Sequence, residues 1–164
     1  MVVFWAVWLL ALTVILAYGV VILFGAPYLP TRAQDRRAAI KLLNLKRGDL
    51  LIDLGSGDGG LLVEAGKQGL RAIGYEINPF LLVISWFRIL RFDGRVRVRW
   101  GNFWRADISQ ADGIFVFLLD RFMRKLDAKI SAEAKPHVKL VSHAFKIPGR
   151  RPAAKKGALL LYEY

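Results

Sequence analysis

The chain predicts an α/β fold: a mostly parallel sheet with helices on both faces, preceded by one transmembrane helix. Short apolar runs of strand type alternate with helical stretches, and a glycine-rich turn joins the first such run to a helix. Up to Thr31 the chain carries no charged side chain. Strands joined by crossover helices become parallel neighbours in one sheet. The 164 residues therefore divide into an anchor over residues 1–26 and one domain over residues 27–164, long enough to bury its own core.

Val2 to Phe24 is almost purely Val, Leu, Ile, Ala, Phe and Trp. As a helix it would rise about 34 Å, enough to cross a hydrocarbon core. A cleaved signal peptide has a basic start and a shorter apolar run; neither is present here. The flank after the span holds Arg32, Arg36, Arg37, Lys41, Lys46 and Arg47. The positive-inside rule then gives a single-pass protein with its amino terminus outside and the domain in the cytoplasm.

In the domain, residues 33–45 form an amphipathic helix with Ala39, Ile40, Leu42 and Leu43 as its apolar stripe. Residues 50–54 are a short apolar run of buried parallel-strand type. Residues 55–60 form the glycine turn and 61–68 a helix closed by Gly69. Residues 71–76 are the second strand and 79–90 the next helix. Residues 95–100 alternate Val96, Val98 and Trp100 with arginines, as a strand does. A strand at 113–118, a helix at 122–134 and strands at 137–145 and 158–164 complete the series.

The net charge of +12 allows nucleic acid, anionic lipid or an acidic protein as partner. The cations are scattered, with short clusters at 32–47, 88–99 and 146–156 and no long basic tail. A basic face lying near an anionic lipid surface fits this best. The chain has no cysteine, which excludes disulfides, thiolate metal sites and cysteine nucleophiles. Two histidines leave no histidine-rich metal centre to build.

The central motif is Asp53-x-Gly55-x-Gly57-x-Gly59, with Ser56 inside it. Through Gly60 the loop also fits the dinucleotide fingerprint Gly-x-Gly-x-x-Gly. Asp53 separates the two readings. A carboxylate closing the strand would repel a pyrophosphate, but suits a ligand carrying an ammonium group, such as the methionine moiety of S-adenosylmethionine. Glu76 ends the next strand, where a carboxylate accepts ribose hydroxyls in either cofactor class. Gly101-Asn102-Phe103 follows the third strand and offers an amide and an aromatic for adenine.

Several segments in order carry a resemblance: Pro27-Tyr28-Leu29-Pro30-Thr31, Asp53 to Gly59, Gly74-Tyr75-Glu76-Ile77-Asn78, Gly101-Asn102-Phe103-Trp104, Phe117-Leu118-Leu119 and Val141-Ser142-His143-Ala144-Phe145. With a closing Leu160-Leu161-Tyr162, the chain from Pro27 on resembles the small seven-strand-type protein lysine methyltransferases. These include the enzymes acting on the adenine nucleotide translocase and on the membrane-embedded c-ring protein of ATP synthase, and a broad-specificity archaeal enzyme. The resemblance implies a Rossmann-like class I methyltransferase sheet, S-adenosylmethionine as cofactor and a lysine side chain of a membrane or membrane-adjacent protein as substrate. It implies that Tyr28 and Thr31 fold over the cofactor and help form a lysine channel, that Asp53, Gly55, Ser56, Gly57, Gly59, Glu76 and Asn78 hold the cofactor, and that Asn102 and Phe103 lie near its adenine. Two positions depart from the pattern: Gly60 where relatives carry Arg, and Arg150 where a Trp follows the turn.

Methyl transfer from a sulfonium demands positioning above all. Supplying a neutral lysine amine at pH 7 costs roughly 4–5 kcal/mol, and an apolar aromatic channel lowers that cost. Tyr28, Phe103, Trp104 and Phe117 are candidates for the channel, although each is equally suited to core packing. Ser142 and His143 either orient the amine or end a strand. Two further readings compete, an RNA or DNA methyltransferase and a non-catalytic module that binds S-adenosylmethionine. Against nucleic acid as partner, Phe117-Leu118-Leu119-Asp120 stands where base-amino methyltransferases carry an Asn/Asp-Pro-Pro-Tyr-like segment.

Overall fold

The computed structural model describes the chain at residues 1–24 and 29–164. Five helices, α1 (Val2–Phe24), α2 (Ala33–Leu43), α3 (Gly60–Lys67), α4 (Pro79–Ile89) and α5 (Asp120–Glu133), are interspersed with seven strands. These are β1 (Leu50–Leu54), β2 (Arg71–Glu76), β3 (Val96–Trp100), β4 (Gly113–Val116), β5 (Lys139–His143), β6 (Ala154–Lys156) and β7 (Leu159–Glu163). They form one sheet in the order β3-β2-β1-β4-β5-β7-β6. The pairs among β1 to β5 are parallel, whereas β7 runs antiparallel to β5 and β6 antiparallel to β7. The chain turns from building outward through β2 and β3 to building the other way from β4. That reversal lies between β1 and β4, where α/β sheets open a crevice at the carboxyl ends of the strands.

Alternation along the strands sends side chains to two cores. On one face Ile52, Leu54, Ile114, Val116 and Leu140 pack with Met123, Leu126 and Ile130 of α5. On the other, Leu51, Phe115, Val141 and Leu161 pack with Ala39, Ile40 and Leu43 of α2 and Leu61, Leu62 and Ala65 of α3. Each fully buried leucine contributes about 1.5–3 kcal/mol. Asp53 has the parity of Leu51, so it leaves β1 on the α2–α3 side.

The structure moves several boundaries for visible reasons. Asn44, in the left-handed conformation at φ 48°, ends α2 two residues before the end expected from its apolar stripe. Asn78 starts α4 by accepting from the N–H groups of Phe80 and Leu81, with Pro79 in the first turn. β4 stops at Val116, and α5 begins at Asp120, two residues earlier than its apolar pattern suggests. β6 is short and polar, so no apolar alternation announced it. Arg150 stacks on the Tyr164 ring, 4.1 Å from its centroid, and pairs with Asp127.

The apolar leader is helical over all 23 residues of α1. Among the described residues no helix is long and apolar enough to cross a membrane. The expected transmembrane helix therefore finds no support among the described residues.

Candidate active site

A cavity of about 250 Å³ opens at the carboxyl ends of β1, β2 and β4, with Leu29, Pro30 and Thr31 along one side. Its floor is made by the glycine loop and by the end of β2. The loop is stitched to β2 by Gly55 and Ser56, whose N–H groups both donate to the Tyr75 carbonyl at 3.0 Å. Glu76 is held from two sides: Oε2 accepts from Gly57 N at 2.8 Å and Oε1 from Asn78 N at 2.8 Å. Gly57 sits at φ +55°, which turns its amide toward that carboxylate without a side chain in the way. Glu76 is 7% exposed, and its carboxylate retains lone pairs for a ligand's hydroxyl groups.

Asp53 is deeper, at 3% exposure. Burial, reinforced by the neighbouring charges of Glu76 and Asp58, pushes its carboxyl up to about 8. Three acids thus crowd one end of the cavity, an arrangement that favours a cationic ligand. Asp58 is partly committed: it accepts from Gly60 N at 3.1 Å and pairs with Arg88 of α4. Ser56 Oγ is buried without a hydrogen-bond partner in the cavity wall.

Arg36 of α2 is a residue that motif reading missed. Its guanidinium lies where a side chain at position 60 would begin, with Nη1 only 2.2 Å from an ideal Gly60 Cβ. Its Nε is buried without a hydrogen-bond partner, and the residue lines the cavity beside Gly60. The available signal was Gly60 itself, an empty position at the start of α3 that another element fills.

The far wall is apolar. Phe103, Phe115, Phe117, Leu118, Ala144 and Phe145 supply most of it. Ala144 takes φ +72° at the centre of a tight turn in which Phe145 N donates to His143 O at 3.0 Å. A γ-turn of this hand is strained for any residue with a Cβ. Ser142 Oγ, fully buried, donates to Phe145 O at 2.7 Å and braces the same turn. The His143 ring packs on Phe117 with centroids 4.3 Å apart, and its Nδ1 is buried without a partner. Burial holds the His143 pKa below its usual value, with Asp35 opposing weakly.

Of the residues singled out from sequence, Thr31, Asp53, Gly55, Ser56, Gly57, Glu76, Asn102, Phe103 and Phe117 line this one cavity. Four others stand behind it. Gly59 lets α3 approach α4, since a Cβ there would meet Ser85 Oγ at 2.3 Å. Asn78 caps α4, Ser142 braces a turn and His143 backs Phe117. Asn102 Oδ1 accepts from Trp104 N at 3.0 Å, so it also caps the short turn that seats Phe103. Trp104 packs between Phe103 and Phe122 under Lys125 rather than on the cavity. Tyr28 lies outside the described residues.

The geometry meets its counterpart among known proteins. The ANTKMT methyltransferase domain matches residues 53–154, more than half of the chain. The chain belongs to that family. It is similar to the protein-lysine N-methyltransferase of Saccharolobus islandicus, 34% identical over 77% of this chain and 81% of that protein. It is similar also to the human lysine N-methyltransferase named for the C-type subunit of ATP synthase, 30% identical over 77% of this chain and 54% of that enzyme. The chain thus spans about half the length of that human relative. Among solved structures, an RNA methyltransferase from Salinibacter ruber in complex with S-adenosyl-L-homocysteine superposes with a TM-score of 0.78. It shares 27% identity over 82% of this chain and 93% of that one. The ANTKMT-family domain here is therefore a Rossmann-like methyltransferase sheet, as the motif order predicted.

Proposed function

We propose that this chain is an S-adenosylmethionine-dependent protein-lysine N-methyltransferase, held at a membrane by its amino-terminal helix. The observation that carries the reading is one cavity with acids at one end and an apolar aromatic wall at the other. The relatives named as lysine methyltransferases support the substrate class.

The cofactor's part is a methyl group on a positively charged sulfur, open to in-line displacement by a nitrogen. The chain's residues fit such a molecule. Asp53 offers a carboxylate to the ammonium group, and that cation would bring its pKa down from about 8. Arg36 supplies a guanidinium for the carboxylate of the same amino-acid moiety. Gly55, Ser56 and Gly57 form the loop beneath, Glu76 accepts from the ribose hydroxyls, and Asn102 and Phe103 flank the adenine. Thr31 covers the site, a role that the family resemblance gives to Tyr28 as well. Gly59 and Asn78 act indirectly, by seating α3 and α4.

On the acceptor side Phe117 walls the lysine channel, and Tyr28 completes it. An apolar wall disfavours the ammonium form of the lysine and so eases release of its proton to water. Ser142 and His143 are positioning residues that fix Phe145 and Phe117. Because burial lowers its pKa, the His143 ring adds little positive charge beside the channel at neutral pH.

The anchor rests on the 23-residue helix without charge and on the basic flank from Arg32 onward. That flank puts the domain, residues 27–164, on the cytoplasmic side, with the substrate protein in or beside the membrane. A second reading, methylation of RNA, draws on the RNA methyltransferase among the solved structures and on the +12 charge. Incubation with tritiated S-adenosylmethionine and host membrane extract separates the two. Label lost to protease and retained after nuclease is expected, and the converse would overturn the lysine reading.

A further inference from the structure

The cavity wall at the end of β5 opens to solvent at Ala144, which is exposed and lines the cavity. Ala144 N donates to Ala158 O at 2.8 Å. Ala158 belongs to the Gly157-Ala158 turn that joins β6 to β7, with Gly157 at φ +59°. The tip of this hairpin therefore stands at the edge of the mouth. From Ala144 to Tyr162 the sequence holds five cations and no acid.

Register places two of those cations. Lys156 lies opposite Leu159, and Leu159 lies opposite His143, whose ring packs on Phe117 of the cavity wall. Two strand spacings put Lys156 about 10 Å from His143, on the face that α2 covers. Lys155 lies opposite Leu160 and leaves the other face of the sheet, in line with Ser142. Lys146 directly follows Phe145, another wall residue. All three lysines are exposed, and among the described residues none has a side-chain hydrogen bond or ion pair. Arg150 is committed to Asp127 instead. Asp35, near His143, and Asp120, after the wall residue Leu119, also reach this end, and neither pairs with the lysines.

Three unpaired ammonium groups beside the mouth repel a bare acceptor lysine, which carries the same charge. An acceptor segment that brings its own carboxylates turns that repulsion into attraction. We propose that Lys146, Lys155 and Lys156 form a specificity element that selects acceptor lysines with Asp or Glu close by in the protein substrate. Position decides the occupant. On the lysine methyltransferase reading, on which this selection rests, whatever enters at Ala144 is the segment carrying the acceptor, and it meets the lysines on the way.

The test gives the full chain, in neutral detergent, tritiated S-adenosylmethionine and a library of peptides with one central lysine. The neighbouring positions carry Glu, Gln or Arg. Wild type should label Glu-flanked members at least about tenfold faster than Gln-flanked ones at low salt, and about 0.5 M salt should erase the difference. The K146E/K155E/K156E variant should shift the preference to Arg-flanked members, with affinity for S-adenosylhomocysteine unchanged. Should that variant lose its thermal transition, the salt dependence of wild type still decides. Equal labelling of Glu- and Gln-flanked members would overturn the proposal and leave the lysine methyltransferase reading intact, with the lysines merely guarding an edge strand against pairing. Equal labelling that phosphatidylglycerol vesicles raise in wild type and not in the variant would also overturn it, by giving the lysines to lipid headgroups. No label in any member would overturn the lysine methyltransferase reading itself, and the selection with it.

Discussion

The two ends of the cavity solve opposite problems. At the carboxyl ends of β1 and β2, polar atoms are aimed inward: Glu76 is gripped by two amides, and Asp53 is buried at an electrostatic cost. At the ends of β4 and β5, polar atoms are spent on the chain itself. Ser142 braces a backbone turn, and the inward surface is Phe117, Ala144 and Phe145. The first end is built to hold a charged, hydroxyl-bearing ligand, and the second to shape space next to it. Strain is stored at both, as a raised carboxyl pKa in one and a positive φ at Ala144 in the other.

That division can be broken by substitution. Glu76→Ala should have the largest effect, lowering affinity for S-adenosylhomocysteine at least about 100-fold, or some 2.7 kcal/mol, by isothermal calorimetry. Asp53→Asn should weaken binding as well and yet stabilise the ligand-free protein. Asp53 has a folded pKa raised to about 8 above a usual 3.8, so its favourable contribution is present at low pH and is lost as pH rises through 8. The variant should therefore melt higher than wild type above pH 8, with the gap closing toward pH 4. A gap that grows toward acid would contradict the burial argument.

Arg36→Leu should weaken S-adenosylhomocysteine about tenfold, near 1.4 kcal/mol. It should leave 5′-methylthioadenosine, which lacks the amino-acid moiety, unaffected. Because position 60 and the Arg36 guanidinium share one space, adding Gly60→Arg should restore affinity. Equal losses for both ligands would make Arg36 merely structural. The smallest effect belongs to the far wall: Ala144→Gly should relieve the γ-turn and raise stability by about 1 kcal/mol, read by denaturant unfolding, with cofactor affinity unchanged.

How much of this was legible in the sequence follows the same divide. β1 and β2 fall where the apolar runs placed them, because Gly48-Asp49, Gly55 and Gly69 punctuate strands buried on both faces. Asp53 and Glu76 were readable because their meaning depends on being last in a strand. The direction of Ser142 was not readable, since a hydroxyl at a strand end serves a ligand and a backbone carbonyl equally well. Arg36 was hidden because it acts from a different helix, across a gap defined by the missing side chain of Gly60. The exposure of α4 was hidden for another reason. An apolar run such as 79–90 reads as core, and only the fold shows that its outer face has nothing packed on it.

The most direct test of the division is a calorimetric titration of S-adenosylhomocysteine into wild type, Glu76→Ala and Ser142→Ala, each checked for an intact thermal transition. Wild type should bind, Ser142→Ala should keep near-wild-type affinity with about 1 kcal/mol less stability, and Glu76→Ala should show no measurable binding. Unchanged affinity in Glu76→Ala, or a loss confined to Ser142→Ala, would contradict the division by placing the cofactor at the other end of the cavity.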